Sequence, residues 1–327
     1  MTVRTIVPFT IFWGIHILAI PLLIVGYVLF VVKLAVSARR SGVSQTVLAS
    51  LYTHWMQHQL GTRRDEPCAR LMRVLPNVSR PGLRLFTGPT LLAHRLTGYV
   101  PRIYRYPYAG VPTISDQPAA RTTYFDAALA RHLAEVDQLV ILGAGLDTRS
   151  YRLPAGARIR CFEIDTPRTQ QFKRAMLQKA GIDSSRVTYV PADFEREDWF
   201  EKLVAAGFEP AKPTFFLWEG VTPYLSRKAV ESTLRTIADT APGSVVAFDY
   251  FAGGPLVDRS LYMRYAQAAL RAFGEPLGTF RIDSTPPVRD RVAAFLASCG
   301  LSLEEQRSFG RETDRERPKS GFATAIA

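Results

Sequence analysis

Six acidic residues stand at or just behind the ends of five short apolar runs in this chain, and their spacing suggests a binding edge rather than scattered surface charge. Asp147 follows the run Val140-Ile141-Leu142 and the turn Gly143-Ala144-Gly145; Glu163 and Asp165 close the next run; Asp193, Glu219 and Asp249 close the three after it. A single acid there could merely cap a helix, but the repetition exceeds that expectation. The acid pair Glu163 and Asp165 lies about 20 residues beyond the glycine turn, where a carboxylate can grip a ribose hydroxyl. An NAD enzyme would share that spacing. The turn lacks the third glycine of GxGxxG, however, because Thr148 fills the position, and tight helix packing against a dinucleotide turn needs that glycine. No GxxxxGK[ST] run is present for a nucleoside triphosphate.

The elements that must hold these acids alternate strand and helix, the pattern of a doubly wound α/β sheet. Strands are expected at 138–142, 160–164, 187–190, 214–218, 245–250 and 302–309, with helices over 168–180, 195–207, 227–241, 258–273 and 288–299. The runs are short and apolar, as strands covered by helices on both faces should be. Upstream, helices are expected over 44–60 and 67–75. Residues 81–118, with prolines at 81, 89, 101, 107, 112 and 118, read as poor in regular structure.

The chain has 327 residues and a formal net charge of +12. Residues 1–121 carry one lysine and 13 arginines against three acids, leaving +1 for the rest. That asymmetry suits an anionic membrane surface. Nucleic acid is not expected, since no zinc spacing or recognition signature accompanies the arginines. Three widely spaced cysteines, Cys68, Cys161 and Cys299, argue against a disulfide framework or a metal site. Residues 5–32 contain no Asp, Glu, Lys or Arg, long enough for a transmembrane helix kinked at Pro21. The basic residues after it, Lys33, Arg39 and Arg40, place the following domain in the cytoplasm. A signal peptide or a peripheral hairpin is the alternative, and His16 within the run is read as a tolerated polar residue. The organisation is thus an anchor over 1–40, a basic and aromatic cap over 41–116, and a catalytic domain over 117–327.

The runs VILGAGLDTRSYRL, CFEIDTP, YVPADF, FFLWEGVTPYLS and PGSVVAFDYF, with ARTTYFDAAL before them, resemble the class I S-adenosylmethionine-dependent methyltransferases of the leucine carboxyl methyltransferase type over roughly 117–310. The resemblance implies a mostly parallel seven-stranded Rossmann-like sheet and S-adenosyl-L-methionine as cofactor. It implies that Arg121 pairs with the methionine carboxylate, that Gly143 and Gly145 form the turn beside the methionyl part, and that Asp165, with Glu163 near it, holds the ribose. Asp193 and Phe194 would meet the adenine, and Glu219 the methionyl amine. Arg149 and Arg152 could bind an anionic substrate or pair with the strand-end acids. The acceptor is expected to be an oxygen of a small or lipid-like molecule, most simply a carboxylate, which needs no base; an alcohol or phenol would need one, with Tyr224 and His132 as candidates. A noncatalytic membrane adaptor with the same fold, or an NAD oxidoreductase, is the rival reading. The oligomeric state is left open.

Overall fold

A computed structural model describes residues 3–41, 47–154, 156–254, 257, 267–268, 277–313 and 316–327. Its centre is one twisted sheet in the order β3-β2-β1-β4-β5-β8-β7. The strands are β1 (Gln138–Leu142), β2 (Arg160–Asp165), β3 (Val187–Pro191), β4 (Thr214–Trp218), β5 (Val245–Gly253), β7 (Ser302–Phe309) and β8 (Ser320–Ile326); the two-residue β6 (Ile282–Asp283) pairs with the end of β5. Pairing is parallel from β3 through β5 and antiparallel at β8 and β7. The expected mostly parallel, Rossmann-like sheet is therefore present as a mixed sheet. β8 is an addition to the expected strands: its glycine, alanines and threonine lack the branched apolar run that marks β1 and β4.

β1 and β4 are buried at every position, because helices cover both faces. One face packs on Trp199 and Leu203 of α8 (Trp199–Ala205), Val230, Leu234 and Ile237 of α9 (Arg227–Ala238), and Val292 and Leu296 of α10 (Val288–Ser298). The other packs on Ala119, Phe125, Ala128 and Leu129 of α6 (Gln117–His132). Helix starts are fixed by side-chain caps: Thr166 accepts from the Thr169 N–H at the start of α7 (Pro167–Ala180), Asp198 caps α8, and Ser226 caps α9. The helix expected over 258–273 falls almost wholly outside the described residues.

The N-terminal third is more ordered than its prolines suggest. α3 (Val47–Gln59) and α4 (Glu66–Val74) occur where expected, but Arg80–Thr97 forms an 18-residue helix, α5. Pro81 sits in its first turn, where the missing N–H has no intrahelical partner to lose, Ser79 caps that turn, and Gly98 ends the helix with a left-handed φ of 68°. Only Pro89 interrupts the interior. The apolar N-terminal run forms α1 (Val3–Leu18) and α2 (Ile20–Ser41), broken at Ala19 just before Pro21. Among the described residues one stretch, Ile20–Ser37, meets the length and hydropathy requirement for crossing a membrane; α1 is shorter. Both helices pack against α5, and Phe30 and Leu34 of α2 join the cluster that Leu48, Leu51, Leu71 and Leu83 form over α7.

Candidate functional site

A cleft of about 800 Å³ opens at the carboxyl ends of β1, β2, β4 and β5, beneath α3. That volume lies within the roughly 300–1,000 Å³ of small-molecule and cofactor sites. Arg121, Gly143, Gly145, Asp165, Asp193, Phe194 and Glu219 all line it, together with Asp147, Tyr224 and Asp249. Their convergence follows from topology: β1 to β5 run parallel, so every turn leaving a strand emerges at the same edge.

Gly143 and Gly145 have φ of 67° and 42°, conformations that an L side chain rarely adopts. A Cβ on Gly143 would run into Val221, and one on Gly145 would come within 3.0 Å of Val47 on α3. The turn is thus bare backbone facing the cleft. The Gly145 N–H donates to Asp165 Oδ2 at 2.7 Å, and the Thr166 N–H donates to Oδ1 at the same distance. Those two bonds fix the Asp165 carboxylate while leaving each oxygen a free lone pair for a diol. Burial raises its pKa, and the two N–H donors pull in the opposite direction.

The acids near Arg121 are held by charge. Glu219 lies between Arg121 Nε at 3.0 Å and Arg149 Nη1 at 2.8 Å. Arg121 also donates to Ser50 Oγ of α3 and lies 3.7 Å from Asp249 Oδ2. The Gly220 N–H donates to Asp249 Oδ1 at 2.8 Å. Burial pushes the Asp249 carboxyl up to about 6, against the pull of Arg121 and Gly220, with the charge of Glu219 adding to the rise. Asp193 accepts from the Glu195 N–H and so shapes its own loop, while Phe194 packs on Trp199 and Trp218.

Two expected positions fall elsewhere. Glu163 is fully buried, ion-paired with Lys173 at 2.7 Å and accepting from the Tyr151 hydroxyl at 3.1 Å. It lies two residues below Asp165 on the same strand, a pleat repeat of about 6–7 Å deeper, and it does not line the cleft. His132 ends α6, before β1 begins, and so belongs to the opposite edge of the sheet. It contacts Glu304 and Glu135 and stacks near Phe215. Arg149 and Arg152 pair with acids of the protein itself: Arg149 Nε bonds Asp126 Oδ1 at 2.7 Å, and Arg152 Nη2 bonds both Asp126 oxygens at 2.9 and 3.0 Å. Asp126 also receives Arg63 Nε at 2.8 Å, so the ion network runs from the cap to Glu219 in the cleft.

The residues that sequence reasoning missed come from α3. Val47, Ser50, Leu51 and His54 line the cleft roof, at the i, i+3, i+4, i+7 spacing of one helix face. His54 is 3% exposed and its Nε2 has no hydrogen-bond partner. Burial first, then Arg63 and Arg149, hold its imidazole well below the ordinary value, so it is neutral. The signal was present as that spacing, but the neighbouring stripe of Leu48, Tyr52, Trp55 and Met56 is more apolar.

Residues 105–238 match the leucine carboxyl methyltransferase family model. Over 165 residues, covering 49% of this chain and 50% of the other, it is 41% identical to a protein of Mycolicibacterium smegmatis provisionally named an S-adenosyl-L-methionine-dependent methyltransferase. A protein of Mycobacteroides abscessus with the same provisional name is 41% identical over 168 residues, 49% of this chain and 53% of that one. One from Saccharopolyspora erythraea is 36% identical over 183 residues, 55% and 63%. The match thus spans about half to five-eighths of these relatives' length. Residues 105–238 thus carry the match to the leucine carboxyl methyltransferase family, and over about half its length the chain is similar to proteins provisionally named S-adenosyl-L-methionine-dependent methyltransferases.

Proposed function

We propose that the chain transfers a methyl group from S-adenosyl-L-methionine to an oxygen, most simply a carboxylate, of a small or lipid-like acceptor at a membrane. The observation that carries the reading is the set of acids and bare glycines gathered at one cleft, with Asp165 fixed by the turn it adjoins. The bound cofactor supplies an electrophilic methyl on a sulfonium. Asp165 would accept from the ribose hydroxyls, and Asp193 and Phe194 would border the adenine. Glu219 and Asp249 present negative charge to the cationic amine, and Arg121 presents its guanidinium to the carboxylate, a charge-assisted pairing on each side.

The protein's part in the transfer is alignment and exclusion of water. The roof of α3 closes over the glycine turn through Val47, and the neutral His54 can hydrogen-bond a ligand oxygen without adding charge. An ionised carboxylate attacks through its own lone pair, which leaves Tyr224 as a wall of the acceptor space rather than a required base. Arg121, Asp165 and Glu219 would hold the cofactor while its methyl carbon passes to the acceptor oxygen and its sulfur keeps the electron pair of the bond given up, so the chain need add no acid or base. Support for the carboxylate is the family description. Support for a lipid-like acceptor and membrane residence is the apolar α1–α2 pair and the basic N-terminal third.

Incubation with methyl-labelled S-adenosyl-L-methionine and fractionated lipid and polar extracts of the host tests the reading. A labelled product that releases methanol in mild base is expected. A base-stable product contradicts the carboxylate, and no labelled product contradicts the enzyme.

A further inference from the structure

α1, α2 and α5 pack so that their inner sides are buried in the protein and their outer sides are apolar. Phe12, Ala19 and Gly26 recur every seven residues on the covered side, with Phe12 only 1% exposed. α5 runs antiparallel to the pair along most of its length. At one end Gly26 meets Gly82: a Cβ on Gly26 would lie 2.5 Å from the Phe86 nitrogen, and one on Gly82 would lie 2.9 Å from the Phe30 nitrogen. In the middle His16 Nε2 shares a 2.9 Å hydrogen bond with Thr90 Oγ1. At the other end the Tyr99 ring packs 5.7 Å from Phe9 and 4.8 Å from Phe12.

The segment after Tyr99 argues against the pair standing upright across a bilayer. Upright helices would put Phe9–Phe12 and Phe30 about 27–32 Å apart in depth, close to the whole hydrocarbon thickness of about 30 Å. Tyr99 stands beside the first level; Tyr104 stands beside Tyr52, whose ring packs 6.3 Å from Phe30 at the second. Only the four residues 100–103 join Tyr99 to Tyr104, five Cα–Cα steps that reach at most about 18 Å. They include the exposed Arg102 and are not an α-helix that could satisfy its own backbone in lipid. Phe30 and Leu34 are moreover packed into the core cluster of the cap, so a spanning α2 would drag that cluster into the bilayer.

We propose that α1, α2 and α5 form one docking face that lies in the plane of an anionic bilayer, seated in a single leaflet with both ends of α1–α2 on the same side. This rests on the membrane reading above. The outer surface carries Ile17, Leu18 (86% exposed), Leu22 and Ile24 from the pair and Leu92 and Leu96 from α5. Around it stand exposed Lys33, Arg84, Arg95 and Arg105. A second copy would bring the same basic rim against itself, whereas acidic lipid headgroups neutralise it.

The test uses the full chain produced in bacterial cells, with single cysteines placed by Thr2→Cys or Ser41→Cys. The native thiols Cys68, Cys161 and Cys299 are buried and give low background. A membrane-impermeant maleimide is applied to right-side-out and to inverted membrane vesicles. The in-plane face predicts that both positions label in inverted vesicles and neither in right-side-out ones. Labelling of Thr2→Cys only in right-side-out vesicles, with Ser41→Cys labelling only in inverted ones, overturns it and establishes a spanning helix. Recovery of the chain wholly in the soluble fraction overturns the membrane reading itself. As a second arm, Ile17→Glu with Leu22→Glu should lower the membrane-bound fraction at least tenfold with unchanged circular dichroism; unchanged binding contradicts the docking face.

Discussion

Asp165 and Glu219 do different work although both close a parallel strand. Asp165 is oriented by two backbone donors and keeps lone pairs free, so Asp165→Ala should remove ligand contacts with little change in folding. A charged hydrogen bond contributes about 1.5–3 kcal/mol, so cofactor binding should weaken roughly 10- to 100-fold by calorimetry, with an unchanged melting temperature. Asp249 makes a pH prediction. With its carboxyl at about 6, it is neutral below that pH and anionic above. Affinity for a cofactor bearing a cationic amine should therefore rise as pH goes from 5 to 7, and Asp249→Asn should flatten that rise. A profile unaltered by the substitution would place the titrating group elsewhere. These residues were legible because a strand end is a sharp boundary in sequence. The depth of Glu163 was not, because distance below the edge leaves no such boundary: two positions along β2 separate a cleft-lining acid from one locked to Lys173.

At the level of elements, the turn after β1 and the crossing of α2 with α5 both depend on missing side chains. Gly143→Ala sets a methyl against Val221 at a positive φ and should abolish measurable cofactor binding while the protein still folds. α5 itself escaped the sequence reading because proline density was weighed without position; Pro81 in a first turn favours a helix that Pro89 alone disfavours. β8 escaped because small residues carry little periodic signal. α3 was found, but its cleft-facing side was hidden by the stronger apolar stripe beside it, so Ser50 and His54 emerged only once α3 was seen above Arg121 and the glycine turn.

For the whole molecule, the cap and the sheet domain are joined by buried charge. Asp126 gathers Arg63, Arg149 and Arg152, and Arg149 continues the chain of contacts to Glu219. Removing one partner from such a network strands the others in low dielectric, so Asp126→Ala should destabilise the fold by about 3–5 kcal/mol, read from denaturant unfolding. A loss under 1 kcal/mol would show that the arginines find other partners. The same design explains why the N-terminal third and the cofactor cleft belong to one unit: the roof over the glycine turn, the ion network and the apolar docking face are successive layers of one structure. The regional excess of arginine was legible in sequence, whereas the internal pairing of Arg63, Arg149 and Arg152 needed coordinates, because charge composition does not say which arginines are already neutralised.

Whether the cleft behind β1, β2, β4 and β5 holds S-adenosyl-L-methionine is decided by calorimetric titration of the full chain with that cofactor. Saturable one-to-one binding is expected, weakened at least tenfold by Asp165→Ala. An absence of binding, or equal binding by the folded variant, would contradict it.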